Sequence, residues 1–178
     1  MGNNPDYDPK IYHRRSIRLS GYDYSDEGMY FITICCHSHK HRFGKIENDE
    51  MILNEFGKIA DIQWGELINR FPNIELDEYK IMPNHMHGII IIDKGARLNP
   101  TIGGKDNKHS IGDMVGAYKS LVSNDCLDIF KAHNELMGKL WQRNYFEHII
   151  RNAQEYHSIS EYIINNVVNW KSDKFYSE

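Results

Sequence analysis

The stretch Met82-Pro83-Asn84-His85-Met86-His87-Gly88-Ile89-Ile90-Ile91-Ile92 leaves this chain few folding choices. Its run of isoleucines favours an interior strand covered on both faces. Side chains alternate along a strand, so His85 and His87 share one face while Met86 and Gly88 take the other. Two imidazoles side by side at the start of a buried strand can hold one metal ion. The same residues also suit a hairpin end, with Pro83-Asn84 as the turn and the histidines hydrogen-bonded or solvated. Spacing alone does not choose between these.

A length of 178 residues suggests one domain with room for an extension. Hydrophobic residues at 40% and charged residues at 26% describe an ordinary globular protein. The net charge of -4 excludes a generally basic nucleic-acid wrapper but leaves room for a local basic groove. Cys35, Cys36 and Cys126 are odd in number and partly adjacent, which suits buried filler in a reducing cytosol rather than a disulfide framework. No apolar run approaches a membrane span and the first residues do not resemble a signal peptide, so a cytoplasmic location without membrane contact is expected. The run His37 to Arg42 reads as solvated surface.

Residues 1–27 read as an irregular basic extension and 28–178 as the catalytic domain. Arg14, Arg15 and Arg18 in that extension suit either a solvated tail or a nucleic-acid-contacting arm. Met29 to Cys36 predicts a central strand, and residues 51–53 a short paired one. Asn54 caps a helix reaching Phe71, and Leu76 to Met82 forms a hairpin with the histidine strand. A polar loop covers 94–108. Ser110 then caps a helix whose apolar stripe leaves Lys119 free to face solvent or a ligand. Leu140 to Ile150 reads as a fourth strand, and Asn152 caps a last helix reaching about Trp170. This order predicts an α+β fold: a ferredoxin-like split βαβ sandwich with an antiparallel sheet, helices on one face, and one extra C-terminal helix.

That last helix has two stripes. Tyr156, Ile159, Ile163 and Val167 are apolar and should pack on the sheet. Glu155, Ser158, Tyr162, Asn166 and Asn169 are polar. Four residues advance a helix by about 400°, so Tyr162 and Asn166 project one above the other. Tyr162 suits a boundary tyrosine with its hydroxyl in water. It also suits a nucleophile, although a phenol with a pKa of about 10 attacks poorly unless a divalent cation neutralises the phosphate. Two histidines and an amide oxygen can supply three ligands and leave positions for phosphate oxygens. Such a site performs phosphodiester transesterification: the tyrosine attacks phosphorus, a phosphotyrosine forms, and a 3′-hydroxyl is released.

Several blocks carry a family resemblance. They are Arg14-Arg15-Ser16-Ile17-Arg18-Leu19 with Gly21-Tyr22-Asp23-Tyr24, Tyr30 to Cys35, Met82 to Gly88, Trp141 to Arg151, and Glu161-Tyr162-Ile163-Ile164-Asn165-Asn166. In this order the chain resembles the REP-associated tyrosine transposases, a branch of the single-tyrosine insertion-sequence enzymes in the HUH endonuclease superfamily. The resemblance implies His85, His87 and Asn166 as ligands of Mg2+ or Mn2+ and Tyr162 as the nucleophile. It implies single-stranded DNA with a hairpin as substrate, and it allows a homodimer that exchanges the tyrosine helix between subunits. Val167 departs from the pattern, where many relatives carry proline.

Arg143 and Arg151 are candidate phosphate contacts, with surface or ion-pair roles as the alternative. Tyr145 and Tyr156 compete as nucleophiles but read better as packing residues. A rival reading is a non-catalytic RRM-like module using Tyr30 and Phe31 as stacking platforms. A histidine-triad hydrolase needs a third alternating histidine where Ile89 stands, and a structural zinc site lacks a cysteine pair at ligand spacing.

Overall fold

The aromatic and β-branched residues of Gly28–Cys35 form strand β1, which lies inside the main sheet. The computed structural model describes residues 21–93 and 108–177. Arg14, Arg15, Arg18 and nearly all of the expected polar loop lie outside the described residues. Strands β2 (Gly44–Glu47) and β3 (Glu50–Leu53) make a separate hairpin. Helix α1 (Glu55–Gly65) follows, with the Asn54 side chain accepting from the Gly57 N–H at 2.9 Å. A break at Glu66 separates it from the short α2 (Leu67–Arg70), where one continuous helix was expected. Strands β4 (Ile74–Ile81) and β5 (His85–Ile92) form the anticipated hairpin, with a register irregularity between Leu76 and Tyr79. Helix α3 (Ile111–Ala132) begins in a capping box of Ser110 and Asp113. Strand β6 (Phe146–Ile150) and helix α4 (Ala153–Ile164), capped by Asn152, complete the order.

The sheet runs β4-β5-β1-β6, all antiparallel, which is the ferredoxin-like arrangement. The histidine strand is therefore interior. One sheet face presents Tyr30, Ile32, Ile34, Met86, Ile90 and Ile92 to α1 and α3, which contribute Ala60, Trp64, Met114, Tyr118 and Val122. The other presents Phe31 and Ile89, with Ile150, to Ile163, Ile159 and Tyr156 of α4. The helices thus occupy both faces instead of one. The alternation of β5 explains this: Ile89 and Ile91 point away from α1 and α3 and need their own cover.

Three expectations change in detail. The fourth strand starts only at Phe146. Before it, Trp141 makes a single isolated bridge to Cys36 and buries its ring against Phe43 and Tyr118. Helix α4 stops at Ile164, capped by Asn165, and a 3-10 turn at Trp170–Ser172 follows. Lys119 is not free, because its ammonium donates to the carbonyls of Gln142 at 2.7 Å and Arg143 at 3.1 Å. Tyr24, in the irregular residues before β1, belongs to the core, and its carbonyl accepts from the Ile111 N–H. Cys35, Cys36 and Cys126 are free and buried. Among the described residues no helix is long and apolar enough to cross a membrane.

Candidate active site

Strand alternation turns His85 and His87 to the α4 face of the sheet, where both are fully buried. Their Nε2 atoms stand 3.0 Å apart. Each ring is fixed by its other nitrogen. His85 Nδ1 donates to Asn84 Oδ1 at 2.7 Å, and His87 Nδ1 pairs with Thr33 Oγ1 at 2.8 Å. The Asn84 amide has one sensible orientation, since its Nδ2 donates to the carbonyls of His39 and Phe175. Neutral His85 thus carries its proton on Nδ1 and a lone pair on Nε2. Without a cation, His87 donates from Nε2 to that lone pair. If the Thr33 hydroxyl turns to accept from Nδ1, His87 also presents a lone pair. Carboxamide and hydroxyl partners of this kind orient imidazole ligands.

Burial pushes His85 down to about 4, against the opposite pull of Asp173 and Asn166. Burial, with His85 beside it, also holds His87 well below the usual imidazole range. Both rings are therefore neutral near pH 7, the form that binds metals.

The apolar stripe of α4 seats Ile163 on Phe31 and Ile89, and this aims the adjacent Tyr162 at the histidines. The Tyr162 hydroxyl lies 3.1 Å from His87 Nε2, with its ring edge-on to His87 at 5.0 Å between centroids. It donates to Asp173 Oδ2 at 2.8 Å. Burial first, and then the Asp173 carboxylate, raise its pKa above the ordinary phenol value, so the hydroxyl is held protonated. Asn166 lies beneath, buried, with Nδ2 donating to the same Asp173 oxygen at 2.8 Å. Asn166 Oδ1 is buried without a hydrogen-bond partner among the described residues. A buried acceptor left unmet is costly, and a cation would satisfy it. Two imidazoles and this oxygen fit a small divalent ion. Among the described residues, no group of three or more His, Cys, Asp or Glu side chains can hold a metal, so a three-ligand site here would have to include the amide oxygen.

The other named residues fall elsewhere. Tyr156 packs under α4 and donates to Asp77 at 2.6 Å, and Tyr145 donates to Glu147 at 2.7 Å. Arg143 and Arg151 are exposed. Tyr30 is fully buried and Phe31 is 7% exposed, so the sheet offers no open stacking platform at these rings. The His37–Arg42 run is less solvated than expected. His39 bonds Gln142 and stacks on Phe175, and Arg42 reaches the Met137 carbonyl. Three participants were missed in the sequence: Thr33, Asn84 and Asp173. Asn84 had a signal in its place beside His85; Asp173 had none.

Residues 49–166 match the model of the family described as "Transposase IS200 like", a span that takes in both histidines, Tyr162 and Asn166. The chain belongs to the IS200-like transposase family. As a transposase it is an enzyme of DNA cleavage and transfer. An uncharacterised protein of Haemophilus influenzae is 40% identical over 179 residues, covering 96% of this chain and 97% of that one. A solved REP-associated tyrosine transposase bound to a REP hairpin shares the fold. Its TM-score is 0.58 at 17% identity, over 90% of this chain and 76% of that one.

Proposed function

We propose that this transposase cuts and rejoins single-stranded DNA at hairpins by metal-dependent tyrosine transesterification, in the manner of the REP-associated branch. The observation that carries the reading is the approach of the Tyr162 hydroxyl to within 3.1 Å of His87 Nε2, beside His85 and the unpartnered oxygen of Asn166. Mg2+ or Mn2+ held by His85, His87 and Asn166 would neutralise charge on a scissile phosphate. Tyr162 supplies the attacking oxygen. A bond forms between that oxygen and phosphorus, and the bond from phosphorus to the 3′-oxygen breaks. The DNA is left on the tyrosine through its 5′ phosphate. The Tyr162 hydroxyl gives up its proton as its oxygen bonds to phosphorus, and the departing 3′-oxygen takes one up to become a hydroxyl, so no proton is gained or lost overall. Reversal with a second 3′-hydroxyl rejoins a strand. Arg14, Arg15, Arg18, Arg143 and Arg151 are the proposed phosphate contacts that position the DNA. The hairpin partner is carried over from the solved relative's complex. Residues 28–178 form the proposed catalytic unit, with 1–27 as its basic extension.

The test is incubation of the protein with single-stranded hairpin DNA and Mn2+, followed by denaturing electrophoresis. A covalent adduct is expected with the native chain and with Tyr145→Phe and Tyr156→Phe, and none with Tyr162→Phe. A fully active Tyr162→Phe chain overturns the assignment.

A further inference from the structure

We propose that Asp173 is a positioning residue that selects the oxygen of the Asn166 amide as a metal ligand and holds the Tyr162 hydroxyl beside it. The inference rests on the metal-site reading above and names a residue beyond the span of the family match.

Past α4 the chain turns back across the site. Val167 and Trp170 anchor the turn by packing on Met82. The Asp173 N–H donates to the Trp170 carbonyl at 3.0 Å. Its Oδ1 accepts from the Phe175 N–H at 2.7 Å, a local turn that fixes the carboxylate. Oδ2 is thereby aimed at α4, where it accepts from both Asn166 Nδ2 and the Tyr162 hydroxyl, each at 2.8 Å.

This arrangement decides the Asn166 amide orientation. Rotating the amide by half a turn would set its oxygen against a carboxylate oxygen with no proton between them. It would also present an NH2 group, which cannot bind a cation, in place of the oxygen. With Nδ2 held by Asp173, Oδ1 is the atom left free. The same segment also steadies the other side of the site. The Phe175 carbonyl accepts from Asn84 Nδ2 at 2.8 Å, and Asn84 Oδ1 accepts from His85 Nδ1 at 2.7 Å. Residues 173–175 therefore tie an α4 ligand and a β5 ligand into one hydrogen-bonded circuit. Both Asp173 oxygens are engaged, Oδ1 by the Phe175 N–H and Oδ2 by Asn166 and Tyr162, so its proposed role runs through Asn166 and not through direct ligation. Partners of this type tune metal affinity by about ten- to a hundredfold.

Mn2+ titration of the full chain, followed by calorimetry and by the Mn2+ paramagnetic resonance signal, tests this without DNA. Asp173→Ala should weaken Mn2+ binding about ten- to a hundredfold. Asp173→Asn should restore part of it, because its one side-chain carbonyl can still accept from Asn166 Nδ2 while giving up the Phe175 N–H. Asp173→Ser can keep the local turn but is too short to reach Asn166, so it should behave like Ala and stands in if that variant does not fold. Equal Mn2+ affinity in the native, Ala and Ser chains overturns the positioning role alone. An Asn variant as weak as Ala also overturns it, since charge and not orientation would then be the contribution. Tighter binding and faster adduct formation without the carboxylate would make the segment an obstruction and overturn it too. A native chain that binds no Mn2+ overturns the metal site itself, and this inference with it.

Discussion

Gly88 follows His87 on β5 and points to the opposite face, where a Cβ would stand 2.5 Å from Trp64 Cζ2. Trp64 is fully buried and wedged edge-on to Tyr118, so it has little room to yield. Gly88→Ala should therefore cost about 1–3 kcal/mol in urea unfolding. The folded fraction should keep its adduct yield, because the change lies across the sheet from the histidines. The paired change His85→Ala with His87→Ala should have the opposite signature. Cleavage of hairpin DNA should be lost while circular dichroism still reports the native fold. These positions were legible in the sequence because strand and helix periods place them without knowledge of the fold. Asp173 was not, since its role depends on a chain reversal that no local period encodes.

Helix α4 connects the apolar and histidine-bearing halves of the second sheet face. Ile163 is fully buried against Phe31, Ile89 and Ile150, and its neighbour is Tyr162, the proposed nucleophile. Ile163→Ala should cost about 2–5 kcal/mol and also lower adduct yield, as the helix loses the seat that aims Tyr162. Asn152→Ala removes only the cap on Glu155 N–H, worth about 1 kcal/mol, at the end of the helix remote from Tyr162. Its adduct yield should stay near native, and comparing the two melting curves with the two yields separates seating from general stability. The elements themselves were largely readable. Caps at Asn54, Ser110 and Asn152 stand where the sequence put them. The misplaced boundary at Leu140–Tyr145 has a physical cause: alternation there reflects Trp141 entering the core, not ladder pairing. The α4 stripe runs on to Val167 because the chain continues in tight turns after the helix ends, as the Asn169 N–H to Asn165 carbonyl bond shows.

At the scale of the whole molecule, a net charge of -4 means that DNA must be held by local cations. Replacing Arg14, Arg15 and Arg18 together with alanine should weaken hairpin binding. It should also flatten the plot of log affinity against log salt by about 0.7 for each single-strand phosphate that these arginines neutralise. An unchanged slope would make that segment a bystander. The sequence left open whether two copies must share their catalytic parts. Here the Tyr162 hydroxyl reaches His87 of its own chain at 3.1 Å, and the same chain's tail closes the circuit around them. This within-chain arrangement predicts that each copy acts alone. A chain lacking the tyrosine hydroxyl and a chain lacking both histidines, mixed in one tube, should fail to repair one another, and the reaction should be first order in protein however far it is diluted.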